Sequence, residues 1–201
     1  MPRTFVAVLV AVVVATACSS DDAAGEAGDM SDAVDEVRSR AGTALDVPAA
    51  TIEIDGPVPV EGSGCSLYSA WDPASTNPFA REYAVLPDGT VVEGLTDDAL
   101  RRTLDGCFFD SGTEPSAEAV AGLAVRLADA PGPVDLLDAE VGPRRLEPLG
   151  VEWRPPTSSG SVAEGDLTVS YFARDRETGT ILAGTVTRAA DGAVEVDYRR
   201  L

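Results

Sequence analysis

From residue 31 onward the apolar positions recur with two different periods. Ser31 stands as an N-cap before Val34, Val37, Ala41 and Leu45, which share one helical face, while Asp32, Asp35, Glu36, Arg38 and Arg40 take the other. Asp46-Val47-Pro48 predicts its end. The period then changes to two. Thr51-Ile52-Glu53-Ile54-Asp55 alternates as a half-buried strand, and Cys65 to Trp71 and Phe79 to Leu86 read as two more. Asp88-Gly89 predicts a hairpin into Thr90-Val91-Val92-Glu93, because both turn residues tolerate positive φ. Thr96 caps a helical stretch that points Leu100 and Leu104 inward and delivers Cys107 at its end. Pro115 and Ser116 open another, with Val120, Leu123, Ala124 and Leu127 on one stripe, stopped by Pro131-Gly132-Pro133.

Residues 131–166 hold six prolines and the run Pro155-Pro156-Thr157-Ser158-Ser159-Gly160-Ser161, and they predict mostly loop. Short extended pieces are expected near Val134–Leu137 and Leu149–Trp153. In the last stretch Leu167, Val169, Tyr171 and Ala173 alternate with polar positions apart from Phe172. Ile181 to Arg188 follows as a strand, and Asp191-Gly192 turns into Val194, Val196 and Tyr198. That pattern is an antiparallel meander with one wet face. The two meanders align at an offset of 103: Tyr68, Ala70, Asp72, Ala80, Asp88, Gly89 and Val91 match Tyr171, Ala173, Asp175, Ala183, Asp191, Gly192 and Val194. Either they descend from one duplicated unit or a composition rich in Ala, Val, Asp and Gly has produced the matches. The expected architecture is an α+β domain over residues 31–201, with antiparallel meanders packed against two or three helices.

The beginning of the chain follows a different pattern. Arg3 precedes an apolar run from Phe5 to Ala17 that is broken only by Thr16. Thirteen helical residues reach about 20 Å, short of the roughly 30 Å hydrocarbon core. Residues 1–17 therefore read as a signal peptide. Its end, Val14-Ala15-Thr16-Ala17-Cys18, followed by Ser19, Ser20, Asp21 and Asp22, resembles the lipobox of bacterial lipoproteins. The resemblance covers about the first twenty residues, and Ala15 stands where that family usually has leucine. It implies that Cys18 is diacylated on sulfur, becomes the first residue after cleavage and anchors the protein to the membrane. Ala15-Thr16-Ala17 also satisfies the small-x-small rule of ordinary secretion, which would release the protein. Cysteine arithmetic favours lipidation, because Cys65 and Cys107 are the only other cysteines and lipidation of Cys18 leaves an even pair. Outside the cytoplasm that pair is expected to form a disulfide. Residues 18–30, rich in Ser, Asp, Ala, Gly and Glu, read as a lipidated disordered tether.

Composition narrows the chemistry. The 201 residues include fifteen basic side chains, all arginine, against thirty-four acids, with no histidine and no lysine, for a net charge of −19. Ser-His-Asp and Cys-His machinery, His-ligated zinc and Schiff-base lysines are excluded. A nucleic-acid partner is disfavoured, because phosphate binding depends on clustered Lys and Arg. Gly-rich phosphate loops, nucleophile elbows and Cys-x-x-Cys are absent.

Carboxylates remain as acid–base groups. Asp72 with Asp175, or Glu53 with Asp55, would serve glycosidase chemistry only by converging in a cleft about 5–9 Å apart. Their contexts predict turn starters and outward strand positions instead. Calcium is the cofactor most compatible with the acidic composition. The nearest loops, Asp175-Arg176-Glu177-Thr178-Gly179 and Asp110-Ser111-Gly112-Thr113-Glu114, lack the patterned spacing. Among the few aromatic residues, Tyr68, Trp71, Trp153 and Tyr171 are expected in the core. Tyr68, Trp71 and Trp153, with Asp72, are also the candidate ligand-facing positions, because aromatic rings on a sheet face stack on sugars or apolar peptides. The sequence thus leads to an extracytoplasmic, lipid-anchored binding or scaffolding module, with an envelope protein or glycan as partner. A carboxylate-only hydrolase and a secreted inhibitor or accessory subunit are the alternatives.

Overall fold

A computed structural model describes residues 23–76, 80–130 and 132–201, and the side chains from residue 31 onward within that range. The expected signal peptide, residues 1–17, and Cys18 lie outside the described residues.

Helix α1 (Ala23–Leu45) begins well before Ser31, inside the stretch expected to be a disordered tether. Alanine, glutamate and methionine there are good helix formers, and the acids suit the positive end of the helix dipole. Ala33, Val37 and Ala41 form its buried stripe. A 3₁₀ turn (Ala49–Thr51) leads into β1 (Glu53–Pro59), which is followed by β2 (Ser66–Trp71), β3 (Arg81–Val85) and β4 (Val91–Glu93). These strands form one antiparallel sheet in chain order.

The sheet is covered on both faces. Tyr68, Ala70, Tyr83 and Val91 pack with Val37 and Ala41 of α1. Leu67, Ala84 and Val92 look the other way, into the main core. The Arg40 guanidinium donates to the carbonyl of Val91 at 2.9 Å, which fixes α1 along the β4 edge.

Helices α2 (Asp97–Leu104) and α3 (Ala117–Leu127) supply that core. Thr96 and Ser116 cap them as expected, accepting from the Ala99 and Ala119 amides at 3.0 and 3.1 Å. Leu100, Leu104, Val120, Leu123, Ala124 and Leu127 are buried. A π-helical turn over Asp105–Phe109 carries Cys107. The Cys65–Cys107 disulfide joins this turn to the start of β2, so it ties the first sheet to the helical layer.

The second sheet lies beyond the helices. It contains β5 (Val134–Leu136), β6 (Thr157–Ser161), β7 (Asp166–Asp175), β8 (Ile181–Arg188) and β9 (Val194–Arg200). The order is β5-β7-β8-β9, with β6 also paired to β7. Leu167, Val169, Tyr171, Ala173, Leu182 and Val186 face the helices. The fold is therefore α+β, with two antiparallel sheets and helices packed on them.

Three local expectations need correcting. Residues 157–161 form a strand rather than a loop, since β6 pairs along β7 from Thr157↔Ser170 to Ser161↔Asp166 through its backbone while four of its five residues stay exposed. An edge strand held by backbone bonds requires no apolar alternation. The extended piece expected at Leu149–Trp153 is absent; instead α4 (Gly142–Leu146) and a 3₁₀ turn (Glu147–Leu149) precede it. The outer face of the second meander is not wholly wet, because Phe172 packs there with Leu137, Leu146, Ile181, Val151, Trp153 and Leu201.

The duplication receives a mixed answer. The hairpins match at the offset of 103, with Val85↔Val91 and Arg188↔Val194 in equivalent register. The preceding pairing does not match. Tyr68 lies opposite Tyr83, whereas Tyr171 lies opposite Gly184, two residues from the position equivalent to Tyr83. A strict 103-residue duplication thus fails across the first strand pair. The edges differ too. In the first sheet β1 alone covers β2, with an irregularity between Asp55 and Val58. In the second, β5 and β6 share the edge of β7, and residues 137–156 loop out between them.

Candidate functional site

The excursion between β5 and β6 creates a cleft of about 450 Å³. Its floor is β5, one wall is α3 and the other is the segment that leads to α4. Gly122, Val125 and Arg126 come from α3, Leu137, Asp138 and Val141 from the excursion, and Arg174 and Arg176 from the end of β7.

The strand register builds the polar half of the cleft. Asp135 of β5 is the direct cross-strand neighbour of Arg174, and Arg174 Nη2 donates to Asp135 Oδ2 at 3.0 Å. Arg176 Nε donates to the other oxygen, Oδ1, at 2.8 Å. One carboxylate therefore bridges two guanidiniums. Arg126 enters from the helix and lies 3.5 Å from Glu82 Oε2 of β3. Burial holds the Glu82 carboxyl above the usual carboxylate range, against the lowering effect of its bond from Ser69 and of nearby Arg126 and Arg176.

Asp138, the second aspartate of the lining, is turned to backbone. Its Oδ1 accepts from the amides of Glu140 and Val141 at 2.9 and 2.8 Å. The lining thus carries three arginines, with Asp135 as the aspartate facing them. In a chain of net charge −19 the cleft is locally close to balanced, with the three arginines set against Asp135, Asp138 and the Glu82 that meets Arg126. The apolar half is made by Val125, Leu136 and the exposed Val141.

A second arginine cluster is structural. Arg188 of β8 lies over the Phe109 ring with its guanidinium carbon 3.7 Å from the centroid. Its Nε donates to Asp105 Oδ1 at 3.0 Å, and Arg101 reaches the other Asp105 oxygen at 3.3 Å. This network fastens the π turn to the second sheet.

The residues singled out in the sequence do not converge. Tyr68 is only 3% exposed and packs beneath α1, so it is core and not ligand-facing. A large aromatic on a strand whose two faces are both covered has no route to solvent. Trp71 is half-buried at the end of β2. Asp72 starts the following turn and accepts from the Ala74 amide at 3.0 Å. Trp153 belongs to the small outer cluster of the second sheet, against Gly142, where any Cβ would collide with the indole.

Asp175 is buried at the end of β7, where its Oδ1 accepts from the amides of Glu177 and Thr178 at 2.8 and 3.0 Å. These bonds hold its carboxyl below the usual range. Asp72 and Asp175 thus serve turns on different sheets. Glu53 and Asp55 are exposed on β1. In the loop considered for calcium, Glu114 accepts from the Val162 amide at 3.0 Å. Among the described residues there is no group of three or more His, Cys, Asp or Glu placed to hold a metal ion, and no helix long and apolar enough to cross a membrane.

Arg126, Asp135, Arg174 and Arg176 were not distinguishable in the sequence. They come from α3, β5 and the end of β7, and they are gathered by the pairing of β5 with β7 together with the packing of α3 beside it. Comparison with protein-family models, with curated proteins and with solved structures finds no match to the chain. The class that fold and site define is thus an α+β domain of two antiparallel sheets with an arginine-lined cleft at one sheet edge.

Proposed function

We propose that the protein is an extracytoplasmic binding module, anchored through a lipid on Cys18, and that the cleft between α3 and β5 holds its ligand. The observation that carries the binding role is the convergence of Arg126, Arg174 and Arg176 beside an apolar wall. A few placed polar groups in a mostly preformed concavity are what small-molecule recognition requires. The disulfide and the two-faced packing of the first sheet support this rigidity. The anchor rests on the Ala15-Thr16-Ala17-Cys18 junction and the even cysteine count that lipidation leaves. Two acyl chains on one residue suffice for firm attachment, where a single chain binds marginally.

Native mass spectrometry of the protein extracted from its own membrane tests both parts. The expected result is a mature chain beginning at an acylated Cys18 with a co-purifying small molecule that is lost in Arg174→Gln. An unacylated mature terminus would refute the anchor, and a ligand-free wild type or a ligand retained by Arg174→Gln would refute the cleft as the binding site.

A further inference from the structure

We infer that the ligand of this cleft is a carboxylate carried on a short apolar body. The inference rests on the binding role proposed above and adds the chemical class. The cleft already shows how it holds a carboxylate: the Asp135 oxygens lie 3.0 and 2.8 Å from Arg174 Nη2 and Arg176 Nε. Each guanidinium carries five N–H donors in a planar fork that matches a carboxylate. Asp135 accepts one bond from each arginine, and Arg126 adds a third cation to the same lining.

Asp135 and Glu82 balance much of the charge of the three arginines, but the guanidiniums keep N–H donors that these pairs leave over, and a second carboxylate placed among them accepts from those. Asp138 offers little repulsion at hydrogen-bonding distance, because its Oδ1 is directed at the amides that start α4. Next to these donors lie Val125, Leu136 and Val141, and Val141 is 36% exposed although it is a large apolar residue. Covering it with an acyl or aryl group removes apolar surface from water, which favours binding. A volume of about 450 Å³ admits a headgroup and a body of several carbons and excludes a folded partner. Asp135 acts as an internal competitor. It keeps the arginines ordered in the empty cleft and shares them with the ligand.

Isothermal titration of the full mature chain in neutral detergent with octanoate, octanol and octyl phosphate tests the inference. Variants share the detergent, so partitioning cancels in the comparison. Octanoate is expected to bind saturably at one site. Arg174→Gln and Val141→Asp are expected to weaken it at least tenfold, and Arg154→Gln, on an exposed loop outside the cleft, to leave it unchanged. Asp135→Asn is expected to tighten binding at least threefold, a gain that loss of a merely structural ion pair would not produce. Octanol binding as well as octanoate, octyl phosphate binding tenfold tighter, no saturable octanoate binding, or weaker binding in Asp135→Asn would each overturn the carboxylate assignment. Should Arg174→Gln fail to fold, Val141→Asp on its exposed segment carries the test. A ligand of another class found by native mass spectrometry would overturn this inference and leave the binding role standing.

Discussion

Tyr83 lies wholly buried beneath α1, and its hydroxyl has no hydrogen-bond partner among the described residues. Burial, with Glu93 nearby, pushes its pKa up to about 12. The neutral phenol is favoured in the folded state, so its contribution to stability is complete below pH 10 and is lost as pH rises from 10 through 12. The loss is about 2–3 kcal/mol at most. Tyr68, Tyr171 and Tyr198 are shifted the same way by burial and add to the alkaline sensitivity. Tyr83→Phe removes an unsatisfied hydroxyl and is expected to leave stability at pH 7 unchanged or higher, while flattening the decline above pH 10. Urea denaturation at pH 7 and pH 11 checks this; a loss above 2 kcal/mol at pH 7 would show that the hydroxyl has a partner.

At the scale of elements, close backbone approaches decide where rings sit. Gly184 of β8 lies opposite Tyr171, and a Cβ there would come within 2.5 Å of the tyrosine ring. The ring therefore lies across the strand, where it meets Tyr198 edge-on at 6.2 Å, and the two hydroxyls are 3.0 Å apart. Gly184→Ala is expected to displace the ring and cost roughly 1–3 kcal/mol, because a well-packed core yields only by strain. Equilibrium unfolding measures it. An effect under 0.5 kcal/mol would mean that the ring moves without resistance.

Most elements were legible because caps, stripes and Asp-Gly turns are local signals: Thr96, Ser116, the α3 stripe and both hairpins appear where they were read. β6 was not, because its Thr-Ser-Ser-Gly-Ser residues form a strand only when β7 offers its edge. The start of α1 was missed because its Ala-rich residues satisfy two readings, tether and helix, and a cap at Ser31 does not forbid a helix that begins earlier.

Across the whole molecule, the Cys65–Cys107 bridge closes a loop of 42 residues between the first sheet and the helical layer. The chain-entropy view assigns such a closure roughly 4 kcal/mol. Cys65→Ala/Cys107→Ala is expected to lose about that much stability, read as a lowered urea midpoint with an equal or steeper slope, because the released unfolded chain exposes more surface. A double variant as stable as the oxidised wild type would show that the helical layer holds the sheet without the crosslink. The same layered build explains why the arginine cleft stays open at one edge. β1 covers its neighbour as one strand, with a single irregularity between Asp55 and Val58, whereas β5 and β6 divide the corresponding edge of β7 and leave α3 partly uncovered between them.

The sequence alone determined the α+β class, most strand and helix positions, the pairing of the two later cysteines and the exclusion of histidine and lysine chemistry. Those properties follow from periodicity, turn chemistry and composition, which act over a few residues or over the whole count. The site followed from tertiary structure. Arg126, Asp135, Arg174 and Arg176 are distant in the chain, and their chemistry arises from a strand register and a helix packing angle that no local pattern encodes. Tyr68 and Trp153 went the other way. The scarcity of aromatic side chains singled them out, but only packing determined that Tyr68 faces α1 and Trp153 faces Gly142.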